Sequence, residues 1–295
     1  MVELNAATLL AGWVGGGWLF LWVTTRRREV GLGYGWLMRP IYLLLAAGSV
    51  TLGVTTGGSD WSQDWASALR DIVVAACFVS GVVALIVSLQ RRSAGVSLQR
   101  VEQQRRSDRV AAMTAMTGID KSETSFDFDT PEFPPLLDLC TALLGLVATT
   151  LGAFAAEGPT GLALGRTLTG ALFVGAVSSA MLLGHWYLVQ PGLARGPLLE
   201  MLRAALWLWL PHTLMMLVPT GMFSVLNGSI DDGYNGLLGW FWAASAAMTV
   251  VLVIVARAAL RERQYSAVMA ATGLVYLAIV TAFGQDLVAR ILLAP

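Results

Sequence analysis

Residues 72–89 read IVVAACFVSGVVALIVSL, eighteen positions without a charge, and Arg91 and Arg92 follow after a single Gln90. About 20 apolar residues in a helix are enough to cross the hydrocarbon core of a bilayer, and with its flanks this span is expected over 67–89. The same rule carried outward gives eight candidate spans, 6–24, 35–55, 67–89, 136–156, 166–189, 197–220, 236–258 and 265–285. Composition points the same way. Of 295 residues 56% are hydrophobic and 13% charged, and the mean hydropathy is +0.66, whereas water-soluble chains carry about 25% charged residues. The expected fold is an all-α integral membrane protein with about eight transmembrane helices.

Arginine placement orients the spans. The turns after the first, third, fifth and seventh spans hold Arg26–Arg28, then Arg91, Arg92, Arg100, Arg105, Arg106, Arg109 and Lys121, then Arg195, then Arg257, Arg261 and Arg263. The intervening loops carry Asp60 and Asp64, Glu157, and Asp231 and Asp232 with almost no basic residue. Basic loops stay in the cytoplasm, so both termini are expected outside. The single lysine against eighteen arginines suits a bacterial chain, and the expected location is a bacterial cytoplasmic (inner) membrane. The first span lacks the basic lead and small-residue cleavage site of a signal peptide and is expected to be retained. Trp22, Trp36, Trp61, Trp65, Trp186 and Trp240 fall near span ends, as an interfacial aromatic belt does.

The chain divides into helices 1–3 (1–90), a cytoplasmic loop (91–134), and helices 4–8 (135–295). The loop is basic and then acidic. Its first half is expected to extend span three as a helix resting on the inner leaflet, where each basic residue near anionic lipid is worth ~1 kcal/mol. Its acidic, proline-bearing second half reads as a linker, or alternatively as a docking site for a partner. The two halves of the chain echo each other weakly. Val82–Val87 precedes Arg91 and Arg92 as Val250–Val255 precedes Arg257 and Arg261, and Gly145-Leu-Val resembles Gly273-Leu-Val. A parallel duplication of four helices plus four would relate the halves by an axis along the membrane normal.

Candidate chemistry is sparse. Cys77 and Cys140 lie in apolar runs and read as small hydrophobes. His185 sits in Gly-His-Trp-Tyr beside Trp186 and Tyr187 near the cytoplasmic end of span five, while His212 follows Pro211 deep in span six. At 1.5 Å per residue the two imidazoles differ in depth by roughly 15 Å, which disfavours one haem b bridging them. Arg39, without a local acid, needs a partner from another span, and Asp138 and Glu200 lie at the right depth to supply it. Glu200 and Arg203, and Asp286 and Arg290, are spaced to pair along one helix face. A cytoplasm-facing cavity of His185, Trp186, Tyr187, Arg39, Asp138, Glu200 and Arg203 is the leading candidate site for a quinone or lipid, and His212 is the candidate midplane polar group. No phosphate-binding loop, zinc motif or serine nucleophile is present, so no catalytic or metal-ligating residue is assigned and no cofactor is expected beyond a quinone or lipid. Gly12, Gly15, Gly16 and Gly17, and Gly170, Gly175, Ser178 and Ser179, suit close helix approach.

Met181–Leu188 and Ala271–Tyr276 resemble segments of other bacterial membrane proteins, with no function attached. In architecture alone, eight spans in two groups of four are similar to the quinol-interacting membrane subunits of the polysulfide and nitrite reductase type, although no residue motif of that family matches. The expected function is a non-catalytic membrane-embedded subunit or quinone- or lipid-binding module of a membrane complex. Its expected partners are membrane lipid and other membrane subunits or further copies of itself, and no nucleic acid. The alternative is a small secondary transporter, and the third reading is a b-type haem electron carrier.

Overall fold

A computed structural model describes residues 5–56, 65–101, 126–127, 129–190, 193–217, 221–262 and 264–293. Among these there is no strand. The helices are α1 (Ala6–Thr25), α2 (Leu32–Thr56), α3 (Trp65–Gln90), α4 (Leu136–Phe154), α5 (Thr160–Val189), α6 (Gly196–Leu217), the short α7 (Met222–Leu226), α8 (Leu237–Ala259) and α9 (Tyr265–Leu292). Seven of them, α1–α5, α8 and α9, are long and apolar enough to cross a membrane. The expected count of eight is therefore not met on hydropathy, because α6 places Glu200, Arg203, Pro211 and His212 within its 22 residues.

Two helices outrun their expected spans for a shared reason. α5 begins at Thr160 and carries Arg166 inside it, and α9 continues to Leu292 past Asp286 and Arg290. An apolar window stops at a charge; a helix does not, provided the charge finds a partner in the packed interior. Arg166 Nε donates to the Met215 carbonyl at 2.9 Å and Arg290 Nε to Asp286 Oδ2 at 2.8 Å.

Packing arranges the helices in two rings. α1 meets α2, α2 meets α3, α3 meets α4 and α4 returns to α1, while α5, α6, α8 and α9 close a second ring in the same order. The rings join where α1 and α5 run parallel. Gly12 lies beside Ala171, and Gly16 beside Ala171 and Gly175, so that a Cβ on Gly16 would collide with the Ala171 carbonyl. On its other side α1 presses on α4, where a Cβ on Gly15 would lie 2.7 Å from the Gly145 carbonyl carbon. The small residues thus allow backbone-to-backbone packing, which in lipid substitutes for a hydrophobic driving force. The halves are not equivalent in detail. Gly145 is wedged against Gly15, whereas Gly273, its echo in the sequence, faces open space. Likewise α4 packs along α5, but α9 reaches α1 through Phe283, whose ring lies 5.3 Å from that of Trp13.

The loop departs from expectation. α3 does not run on through it: the chain breaks at Gly95, whose φ of +64° suits glycine, after a 3₁₀ turn at Arg92–Ala94. Arg105, Arg106, Arg109, Lys121 and Glu123 lie outside the described residues, as do Asp60, Trp61, Asp64 and Arg263. The end of the acidic half is docked: Glu132 accepts from Ser97 and pairs with Arg28 at 3.0 Å, and Phe133 is buried.

Candidate functional site

The basic end of the bundle, where α1 finishes and α2 begins, holds most of the expected site residues but does not gather them. Arg39 finds the partner its position demands. Its Nε and Nη2 donate to Asp138 at 3.0 and 2.8 Å, both side chains are 0% exposed, Thr25 donates to the same carboxylate, and the Phe133 ring stacks 4.3 Å from the guanidinium. Bidentate geometry with full burial makes this pair a clamp between α2 and α4, while Arg39 Nη1 has no hydrogen-bond partner among the described residues and Arg39 lines a narrow cleft with Thr25, Gly35, Glu132 and Phe133. Glu200 is not part of it. It turns outward to Arg26 and Arg27, at 3.4 and 2.8 Å, rather than to Arg203, which is exposed. His185 stands elsewhere, half-buried, with Nδ1 2.9 Å from the Tyr276 hydroxyl of α9. Trp186 fills the space a Gly33 side chain would occupy, and the Tyr187 hydroxyl donates to the Ala194 carbonyl.

The distal end gathers what the sequence leaves scattered. His212 of α6 is fully buried, with its ring centroid 5.0 Å from that of Phe173 and Nε2 3.5 Å from Asp286 Oδ1. Asp286 also receives Arg290. The space for this cluster comes from Gly170 of α5, where an added Cβ would lie 2.6 Å from Arg290 Nη2, 2.8 Å from Asp286 Oδ1 and 3.4 Å from His212 Cε1. Arg166, on the same stretch of α5, reaches the last turn of α6. Several buried polar atoms here have no hydrogen-bond partner among the described residues: both ring nitrogens of His212, Asp286 Oδ1, Arg166 Nη2 and Gln285 Oε1. Each such atom costs roughly 1–3 kcal/mol in a dry interior.

Two narrow clefts open beside the cluster, among the ends of α1, α4, α5 and α9. The inner one is lined by Thr8, Gly12, Trp13, Thr167, Asp286 and Arg290 among others, and the outer one by Asn5, Thr8, Gly152, Ala155, Ala156, Thr167 and Arg290. Their free volumes, about 10 and about 20 Å³, match one or two waters and fall far below the roughly 300 Å³ of a pocket for a larger organic ligand. Among the described residues no three of His, Cys, Asp and Glu converge as metal ligands do.

Of these groups, the sequence alone marks out His212 and the Asp286–Arg290 spacing. It marks Gly170 only as a small residue suited to close helix approach and Arg166 only as a charge at a span end, and it gives no sign that these join Thr167 and Thr8 until the fold stacks them. Comparison with known protein families, curated proteins and solved structures finds no match.

Proposed function

We propose that the chain is a small proton-linked secondary carrier, with α6 as an eighth transmembrane helix, both termini outside and the distal end facing out of a bacterial cytoplasmic membrane. The observation that carries this reading is the His212–Asp286 pair, buried over Gly170 with unpartnered nitrogen and oxygen atoms and bordered by water-sized clefts. Such a pair can take up and give up a proton inside the membrane. Pro211 supports the assignment, since proline inside the continuous α6 removes a helical hydrogen bond immediately before His212. α6 is about 33 Å long at 1.5 Å per residue, enough to span if its charges stay at the basic end.

The test is solute-dependent proton uptake in proteoliposomes containing a pH-sensitive dye, with a panel of inorganic anions, carboxylates, amino acids and sugars. Wild type should acidify with at least one class, and His212→Ala should not. A flat response across the panel, or an unaffected His212→Ala, overturns the reading. Orientation is checked separately by fusing alkaline phosphatase to the C-terminus, which is active only outside.

The half-exposed His185–Tyr276 pair supports a second reading, a quinone- or lipid-binding membrane subunit. An imidazole and a phenol at headgroup depth on one face are suited to a quinone carbonyl or a lipid headgroup. His185→Ala should then lower the quinone or lipid that co-purifies, and unchanged content counts against it.

A further inference from the structure

Thr167 lines both clefts at 3% exposure, yet its hydroxyl has no hydrogen-bond partner among the described residues. That is unusual for this chain, in which the helical threonines Thr141, Thr149, Thr169, Thr249 and Thr272 donate to the carbonyl four residues back. Thr8 faces Thr167 across the outer cleft and is prepared differently. Its Oγ1 accepts from Arg70 Nη1 at 3.0 Å, so its single proton remains to be donated. Arg290 completes the lining. Its Nε is committed to Asp286 and its Nη2 donates to the Arg166 carbonyl at 3.5 Å, and the residue lines the cleft.

The polar side chains of the outer cleft are therefore hydroxyls, an amide and a guanidinium, with no carboxylate; Asp286 lines only the inner cleft. Charge favours the same occupant. Arg70 is paired with Asp71 and Arg290 with Asp286, while buried Arg166, which lines neither cleft but precedes Thr167 on α5, has no carboxylate partner among the described residues and an unpartnered Nη2. An uncompensated buried cation is costly, and an anion held nearby relieves it. A metal cation would meet donors and positive charge.

We propose that the outer cleft, between Thr8, Thr167 and Arg290, binds a small monovalent anion of chloride or nitrate size. Resting on the carrier reading, this names the cargo: a proton on the His212–Asp286 pair weakens the carboxylate's hold on Arg290 and frees the guanidinium for the anion, so anion and proton move together.

The experiment is thermal unfolding of the detergent-purified full chain in sodium chloride or sodium nitrate against sodium gluconate at equal ionic strength. Wild type should show a saturable rise in midpoint with chloride or nitrate, as a ligand of the folded state produces, and none with gluconate. Thr167→Val should keep or raise the midpoint in gluconate, because the lost hydroxyl has no partner among the described residues, and weaken the anion's apparent Kd by about tenfold or more, the worth of a hydrogen bond to a charged group. Thr167→Ser should bind as wild type. Absence of an anion-specific rise in wild type, or wild-type binding by Thr167→Val, overturns the site. Anion binding without proton-linked flux removes the carrier and keeps the site; flux of a cation or neutral solute without anion stabilisation does the reverse.

Discussion

His212 Nε2 and Asp286 Oδ1 face each other at 3.5 Å across two helices that are distant in sequence, and the same carboxylate holds Arg290 through its other oxygen at 2.8 Å. One acid thus serves a permanent cation and a titratable ring. Removing the acid and removing the ring should therefore have unequal consequences.

Asp286→Asn strands Arg290, whose side chain is 13% exposed, and breaking a buried pair from one side costs about 3–5 kcal/mol. His212→Gln removes a ring without a formed hydrogen bond and is expected to cost less than half of that. Thermal unfolding in detergent ranks them, and Asp286→Asn combined with Arg290→Gln should regain part of the loss. Equal midpoints for the two single variants would show that the carboxylate does not hold Arg290 in the folded protein.

Glycine positions test the helix seams. Gly16→Ala drives a methyl into the Ala171 carbonyl at the parallel α1–α5 crossing, while a methyl on Gly273 would meet nothing within 4 Å. Overpacking a tight contact costs about 1–3 kcal/mol, and alanine in an exposed helical site gains up to about 1 kcal/mol over glycine. Unfolding midpoints should fall for Gly16→Ala and hold or rise for Gly273→Ala. A neutral Gly16→Ala would mean that the two rings do not meet backbone to backbone.

These contacts mark where sequence reading stops. The spans are legible because lipid imposes one constraint, length of apolar helix, that a single chain displays openly. The requirement that Arg39 find an acid from another span is legible for the same reason, and Asp138 supplies it. The extension of α5 past Arg166 and of α9 past Asp286 is not, since a charge ends an apolar window whether or not the fold neutralises it. Nor is the distal cluster. No spacing along the chain links His212 to Asp286 or Gly170, and an unpartnered hydroxyl such as that of Thr167 has no signature in the sequence at all. The echo of Gly145 in Gly273 warns in the other direction, because similar letters occupy dissimilar surroundings.

Outside the spans, Asp232 caps the start of α8 by accepting from the backbone N–H groups of Tyr234, Gly236, Leu238 and Gly239. Desolvation pushes its carboxyl up, and these hydrogen bonds outweigh it, leaving the pKa below the usual carboxylate value. A depressed folded-state pKa contributes stability above the unfolded value of about 3.9, and that contribution is lost as pH falls through the folded pKa. Hydrogen exchange at Leu238 and Gly239 should therefore be strongly protected at neutral pH, relative to the intrinsic rate, and lose that protection in acid. In Asp232→Ala protection should be weak at both. Protection that is independent of pH in wild type would remove the carboxylate from the cap.

Two ion pairs at the basic end separate burial from mere proximity. Arg39–Asp138 is 0% exposed on both sides, whereas Glu200 and its partners Arg26 and Arg27 are 24%, 43% and 41% exposed. Solvent screens the latter, so Glu200→Gln should cost at most about 1 kcal/mol. Asp138→Asn leaves a guanidinium with nowhere to go and should cost about 3–5 kcal/mol. The pair as a unit is another matter, because its own desolvation offsets much of its attraction. Arg39→Met with Asp138→Leu, which keeps the volume against Phe133 and removes both charges, should therefore recover most of the loss. Unfolding midpoints of the three proteins decide it: a double variant as unstable as Asp138→Asn would mean that the hydrogen bonds among Thr25, Asp138 and Arg39, rather than charge balance, hold α2 to α4.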